Sequence, residues 1–69
     1  MPERVYKVVE VVGTSEQSIS KAIDAAITKA GETLRQLRWF EVEQVRGSVE
    51  DGRVQRYQVT LKVGFTLED

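Results

Sequence analysis

The chain of 69 residues contains no cysteine and no histidine. The first absence excludes disulfides, and the two together exclude the usual zinc sites. A carboxylate-only calcium or magnesium site is left open, but no Asp-rich loop points to one. No apolar run is long enough to span a bilayer. No charged segment followed by an apolar one opens the chain as a signal peptide would, so a cytoplasmic location is the expectation. Charge of one sign is not concentrated anywhere. Ten basic and eleven acidic residues are interspersed for a net charge of −1, and neither a nucleic-acid patch nor a membrane patch is expected. Internal repeats, linkers and low-complexity stretches are missing too, which leaves one domain spanning residues 1–69.

A domain this small buries only about 60% of the surface that its unfolded chain exposes, and its energy balance as a monomer comes out close to zero. Small domains escape this with disulfides, a metal or association. With the first two discounted, association is the expected remedy.

What is present is strongly patterned. Arg4–Val12 is rich in β-branched residues and reads as a strand. Gly13-Thr14-Ser15 breaks it, and Thr14 followed three residues later by Gln17 has capping-box spacing. A helix is expected next, with Ile19, Ile23, Ala26, Ile27, Ala30, Leu34 and Leu37 on one stripe and Asp24, Thr28, Glu32 and Arg35 opposite. Gly31 within it costs helix stability and reads either as a close contact or as a tolerated blemish.

From Arg38 to Gly47 the period falls to two. Phe40 and Val42 point one way, and Trp39, Glu41 and Glu43 the other. Val45 breaks the parity, so a β-bulge near Gln44 is expected to turn Val45 inward and Arg46 outward. Asp51-Gly52 is a hairpin signal. In the last strand Tyr57, Val59, Leu61, Val63, Phe65 and Leu67 share one face.

The reading is therefore an α+β fold of β-α-β-β order, in which one long helix lies across a three-stranded antiparallel sheet. Ile23, Ile27, Leu34, Phe40, Val59, Leu61, Val63 and Phe65 are the expected core. The other face of the sheet, carrying Trp39, Gln58 and Arg46, has no cover.

Trp39 is costly to leave in water and should pack on something outside the subunit. Taken alone, a plain subunit contact explains it best, because aromatic residues anchor interfaces so often; a stacked aromatic ligand is the competing explanation. The amide of Gln58 offers one acceptor and two donors in a plane, which suits a heteroaromatic edge, although a solvated strand glutamine is the simpler account. Arg46 could neutralise a phosphate or close over a ring, or make a surface ion pair with a glutamate. No catalytic set is visible. Without histidine or cysteine, acid–base work would fall to carboxylates, lysine or tyrosine, and Glu41 with Glu43 reads as two solvated strand residues. Thr14, Ser15 and Ser18 lack an adjacent base and are better explained by capping. The Gly13-Thr14-Ser15 turn could hold an anion at the helix N-terminus, but it lacks the remaining P-loop residues.

Taken in order, Val11-Val-Gly-Thr-Ser15, Thr33-Leu-Arg35, Leu37-Arg-Trp-Phe-Glu-Val42, Arg46-Gly47, Tyr57-Gln-Val59 and Lys62-Val-Gly-Phe-Thr-Leu-Glu68 resemble the dodecin family over nearly the whole chain. The resemblance implies a hollow homododecamer of tetrahedral symmetry that binds flavin at its two-fold contacts, where two flavins stack between symmetry-related tryptophans. Trp39 matches that tryptophan, and Gln58 matches the glutamine that pairs with the polar edge of the ring. Arg46 matches an arginine of the bacterial branch, which tilts the expected ligand to FMN over riboflavin or FAD. Gln44 stands where some members have an acidic residue that contacts the ribityl chain. Thr66 stands where several bacterial members have an arginine linked with coenzyme A at a separate site. The implied role is flavin storage with suppression of its photochemistry. A flavin-dependent oxidoreductase and a purely structural shell are the alternatives.

Overall fold

The computed structural model describes residues 3–67. Its elements are β1 (Tyr6–Ser15), α1 (Ile19–Thr33), β2 (Leu37–Glu50) and β3 (Arg53–Thr66). The sheet has the order β1-β3-β2, with both pairs antiparallel. β1 and β2 therefore run parallel on either side of β3, and α1 is the crossover between them.

β1 runs three residues further than the sequence pattern suggests. Gly13, Thr14 and Ser15 do not break the strand but pair with Val59, Gln58 and Tyr57. Gly13 is buried beneath the helix, where a Cβ would collide with the Ala22 carbonyl oxygen and sit 2.9 Å from the Ala26 Cβ. The glycine is needed for close approach of strand to helix. The cap consequently falls later than Thr14. Ser18 is the N-cap and accepts a hydrogen bond from the Lys21 amide, while Ser15 Oγ accepts from the Gln17 and Ser18 amides.

The face of α1 that meets the sheet is a row of alanines, Ala22, Ala26 and Ala30, all buried. Ala22 and Ala26 form one cluster with Val59, Leu61 and Val63, and those three β3 residues have no exposed surface. Ile23, Ile27, Leu34, Leu37, Val9 and Val11 close the sides of this core. The predicted helical stripe is thus rolled toward its small residues. Leu34 is the C-cap and Leu37 already belongs to β2, joined through Gln36 in a left-handed conformation (φ 64°). Gly31 makes no close contact; a Cβ there would meet only Leu37 Cδ1, at 3.9 Å.

One expected core residue is outside. Phe40 is 48% exposed, because α1 packs chiefly on β1 and β3. A helix of 15 residues is about 22 Å long, whereas the 14 residues of β3 extend about 46 Å. The β2–β3 hairpin therefore projects well beyond the covered half. The radius of gyration is 14.4 Å, against about 11 Å for a compact chain of this length. Along the open inner side of the hairpin lie Phe40, Val42, Val45, Val49 and Val54, all exposed.

The hairpin turns at Asp51 and Gly52, both with positive φ (55° and 74°), as a two-residue turn matched to strand twist requires. Its register has three irregularities, between Ser48 and Val49, between Val42 and Gln44, and between Leu37 and Trp39. The middle one leaves Glu43 without a partner. This is the bulge expected near Gln44, and it pairs Val45 with Val59 inside and Arg46 with Gln58 outside.

Candidate functional site

Residues directly opposed in antiparallel strands point to the same side, and neighbours along a strand alternate. The register therefore builds the outer face of the sheet row by row. The first row is Val8, Gly64 and Trp39; the second is Glu10, Lys62 and Glu41; the third is Val12, Thr60 and Gln44; the fourth is Thr14, Gln58 and Arg46. Trp39, Gln44, Arg46 and Gln58 all lie on this face, away from the helix.

Trp39 is 39% exposed. Its indole lies flat on Gly64. A Cβ built on that glycine would overlap the ring at Cε2 and Cζ2 and come within 2.8 Å of Cδ2. One π-face of the indole is thus spent on the β3 backbone, and the opposite face looks away from the sheet. Tyr6, across β3 on β1, meets the indole edge-on, with ring centroids 6.0 Å apart and planes at 67°, a favourable T-shaped geometry. Sequence reasoning placed Trp39 on the right face but missed both Tyr6 and Gly64. Nothing local marks them, because β1 and β2 meet Gly64 only through tertiary pairing.

The second row is charged. Lys62 Nζ lies 3.2 Å from Glu43 Oε2, so the extra residue of the bulge also supplies a partner. The hydrogen bond and charge of Glu43 hold the Lys62 ammonium above its ordinary pKa of 10.5, with Glu41 and Glu10 adding to the effect and desolvation opposing it. With three carboxylates around one ammonium, the centre of the face is acidic, and an anionic ligand group is favoured further along, at Arg46.

Arg46 and Gln58 are direct cross-strand partners, and Gln44 is opposite Thr60 one row away. The structure brings these three together but separates them from Trp39. Gly64 lies six residues beyond Gln58 along β3, a distance of about 20 Å. A ring stacked on Trp39 does not reach Gln58 of the same subunit. Each subunit thus carries two candidate half-sites, an aromatic one and a polar one.

Thr66 is buried (8% exposed). Its hydroxyl donates to Gln36 Oε1 (3.2 Å), its amide to the Gln36 carbonyl (3.3 Å), and Arg38 Nη2 donates to the same Oε1 at 2.8 Å. Among the described residues no cluster of three or more acidic, cysteine or histidine side chains is arranged to hold a metal ion, and no helix is long and apolar enough to cross a membrane.

The geometry meets independent comparison at this point. The family model described as Dodecin matches residues 5–68. A dodecin from Thermus thermophilus is 53% identical over 66 residues, covering 96% of each chain. The structure of dodecin from Streptomyces coelicolor superposes with a TM-score of 0.93 at 54% identity, over 100% of this chain and 99% of that one. Dodecin from Streptomyces davaonensis gives 0.93 at 44% identity, over 99% and 100%. With the same strand–helix–strand–strand order and nearly every described residue matched, the chain belongs to the dodecin family.

Proposed function

We propose that this protein binds FMN and stores it, stacking flavin pairs between Trp39 residues of subunits related by two-fold axes within a homododecamer. The observation that carries the reading is the indole of Trp39, held flat on Gly64 with its other face open. The separation of the half-sites supports the symmetry. A partner turned about an axis between the Trp39 and Arg46 rows sets its own Gln58 and Arg46 opposite Trp39, and the contact is isologous. Gln58 then pairs with the polar edge of the ring, Gln44 faces the ribityl chain, and Arg46 neutralises the phosphate, which riboflavin lacks. FAD shares the ring but adds a nucleotide for which these residues offer no further cation.

Storage is favoured over turnover, because a stack covering both ring faces leaves no approach for a hydride donor. A cytoplasmic shell that sequesters flavin also quenches its excited state by electron transfer from the touching indole. Coenzyme A fits less directly. Thr66 brings no charge and is engaged with Gln36, so a cation for its phosphates would come from Arg38 beside it.

The test is titration of FMN fluorescence with the wild-type protein and with Trp39→Ala. Strong quenching by the wild type and a loss of about 10- to 100-fold in affinity in the variant, at unchanged assembly size, are expected; the scale is that of stacking one base on one aromatic side chain. Equal quenching by both would remove Trp39 from the site, and rapid saturable bleaching by NAD(P)H without oxygen would make the protein an oxidoreductase.

A further inference from the structure

We propose that Gly64 and Tyr6 are positioning residues for the ligand, fixing the height and tilt of the Trp39 indole; the proposal rests on the flavin reading. The contacts divide the labour. Gly64 is the floor, since its missing side chain lets the fused rings of the indole settle on the β3 backbone. Tyr6 is the wall, meeting the indole edge-on at 6.0 Å and 67°. The two come from different strands and converge because β3 lies between β1 and β2, with Gly64 paired to Val8 on one side and to Trp39 on the other.

The floor matters because of what a sandwich demands. Carbon atoms in favourable contact lie about 3.5–4.0 Å apart. A methyl group on residue 64 would stand within 2.8 Å of indole Cδ2 and overlap its neighbours, so the ring must rise or tilt by about 1 Å or more to regain contact distance. Across a two-fold axis both indoles move together, and the gap between them narrows by twice that amount. Two flavin rings already at van der Waals contact have no slack to absorb it. Glycine at 64 therefore sets the spacing of the sandwich and selects for a pair of stacked rings.

Trp39 is the one tryptophan of the chain, so its near-ultraviolet circular dichroism and emission report on this seat without any ligand. The experiment compares wild type, Gly64→Ala, Tyr6→Leu and Tyr6→Phe by those two signals, by FMN titration and by light scattering. Gly64→Ala is expected to change the tryptophan signal of the ligand-free protein and to weaken FMN binding about tenfold or more in an assembly of unchanged size. Tyr6→Leu, which places no atom beneath the ring, is expected to alter the tryptophan signal with a smaller loss of binding, and Tyr6→Phe to restore both. Should Gly64→Ala fail to assemble, the Tyr6 pair decides. An unchanged tryptophan signal in both Gly64→Ala and Tyr6→Leu would overturn the seat, and an altered signal with wild-type FMN affinity would overturn its role in positioning. If the wild type ignores FMN, the flavin reading falls separately, and the seat is judged on the tryptophan signal alone.

Discussion

The two ends of the sheet are built from similar residues and put to different uses. Where α1 crosses β1 and β3, every inward apolar side chain of β3 has a partner, and Val59, Leu61 and Val63 lose all contact with solvent. Along β2 the same alternation produces Phe40, Val42 and Val45, which stay exposed. The difference is geometric and not chemical: the helix is too short, and too far to one side, to cover both. One half of the sheet holds the subunit together. The other half offers apolar and aromatic surface that the helix leaves bare.

The sharpest way to break this comparison is to truncate a pair of residues that face each other across it. Leu61 and Val42 are cross-strand partners. Leu61→Ala should cost about 2–5 kcal/mol, because a cavity opens beneath the helix. Val42→Ala should stay near 0.5 kcal/mol, as at ordinary exposed positions, when both are measured by urea unfolding at one dilute subunit concentration. Equal losses would mean that the open half is already closed by a partner. A middle-sized effect sharpens the covered side. Ser18→Ala removes the hydroxyl that accepts from the Lys21 amide and should cost about 1 kcal/mol, read in the same unfolding assay, while Thr14→Ala leaves helix capping untouched.

The smallest effect belongs to the open side. Lys62 is raised above its ordinary pKa of 10.5, chiefly by Glu43. A raised ammonium stabilises the fold fully below its unfolded pKa and ceases to do so as pH climbs through its folded one. The stability difference between wild type and Lys62→Gln should accordingly be flat from pH 7 to about 9 and disappear once the pH has climbed through the raised pKa of Lys62. A difference that survives at that pH would not come from the ion pair.

Much of this arrangement was legible in the sequence. Strand parity put Trp39 opposite Phe40, the broken parity at Val45 announced the bulge, and Asp51-Gly52 named its turn, because each of these is a local property of the chain. What escaped was tertiary. Gly13 looked like a strand breaker, and only the helix lying above it reveals why the residue has no side chain. Phe40 has a core pattern but no helix to face. The seat of Trp39 could not be found by counting, since Tyr6 and Gly64 sit 33 residues before and 25 residues after it.

The hairpin irregularities carry a last consequence. Counting back from the turn, the pairing of Ser48 with Arg56 leaves Gln55 as an extra residue on β3, and further on Glu43 is an extra residue on β2. The first slips the ladder by one step and the second restores it, so Trp39 meets Gly64 as it would in a flawless hairpin, while the stretch between them is offset. Arg46 faces Gln58 only inside that offset window. The two extra residues balance in the count from the turn, yet each acts locally: deleting Gln55 or Glu43 would remove its own bulge and leave both the Arg46–Gln58 and the Trp39–Gly64 pairings in place. What such a deletion would change is the bend and twist that a bulge imposes on the hairpin, and with it the angle between its two ends.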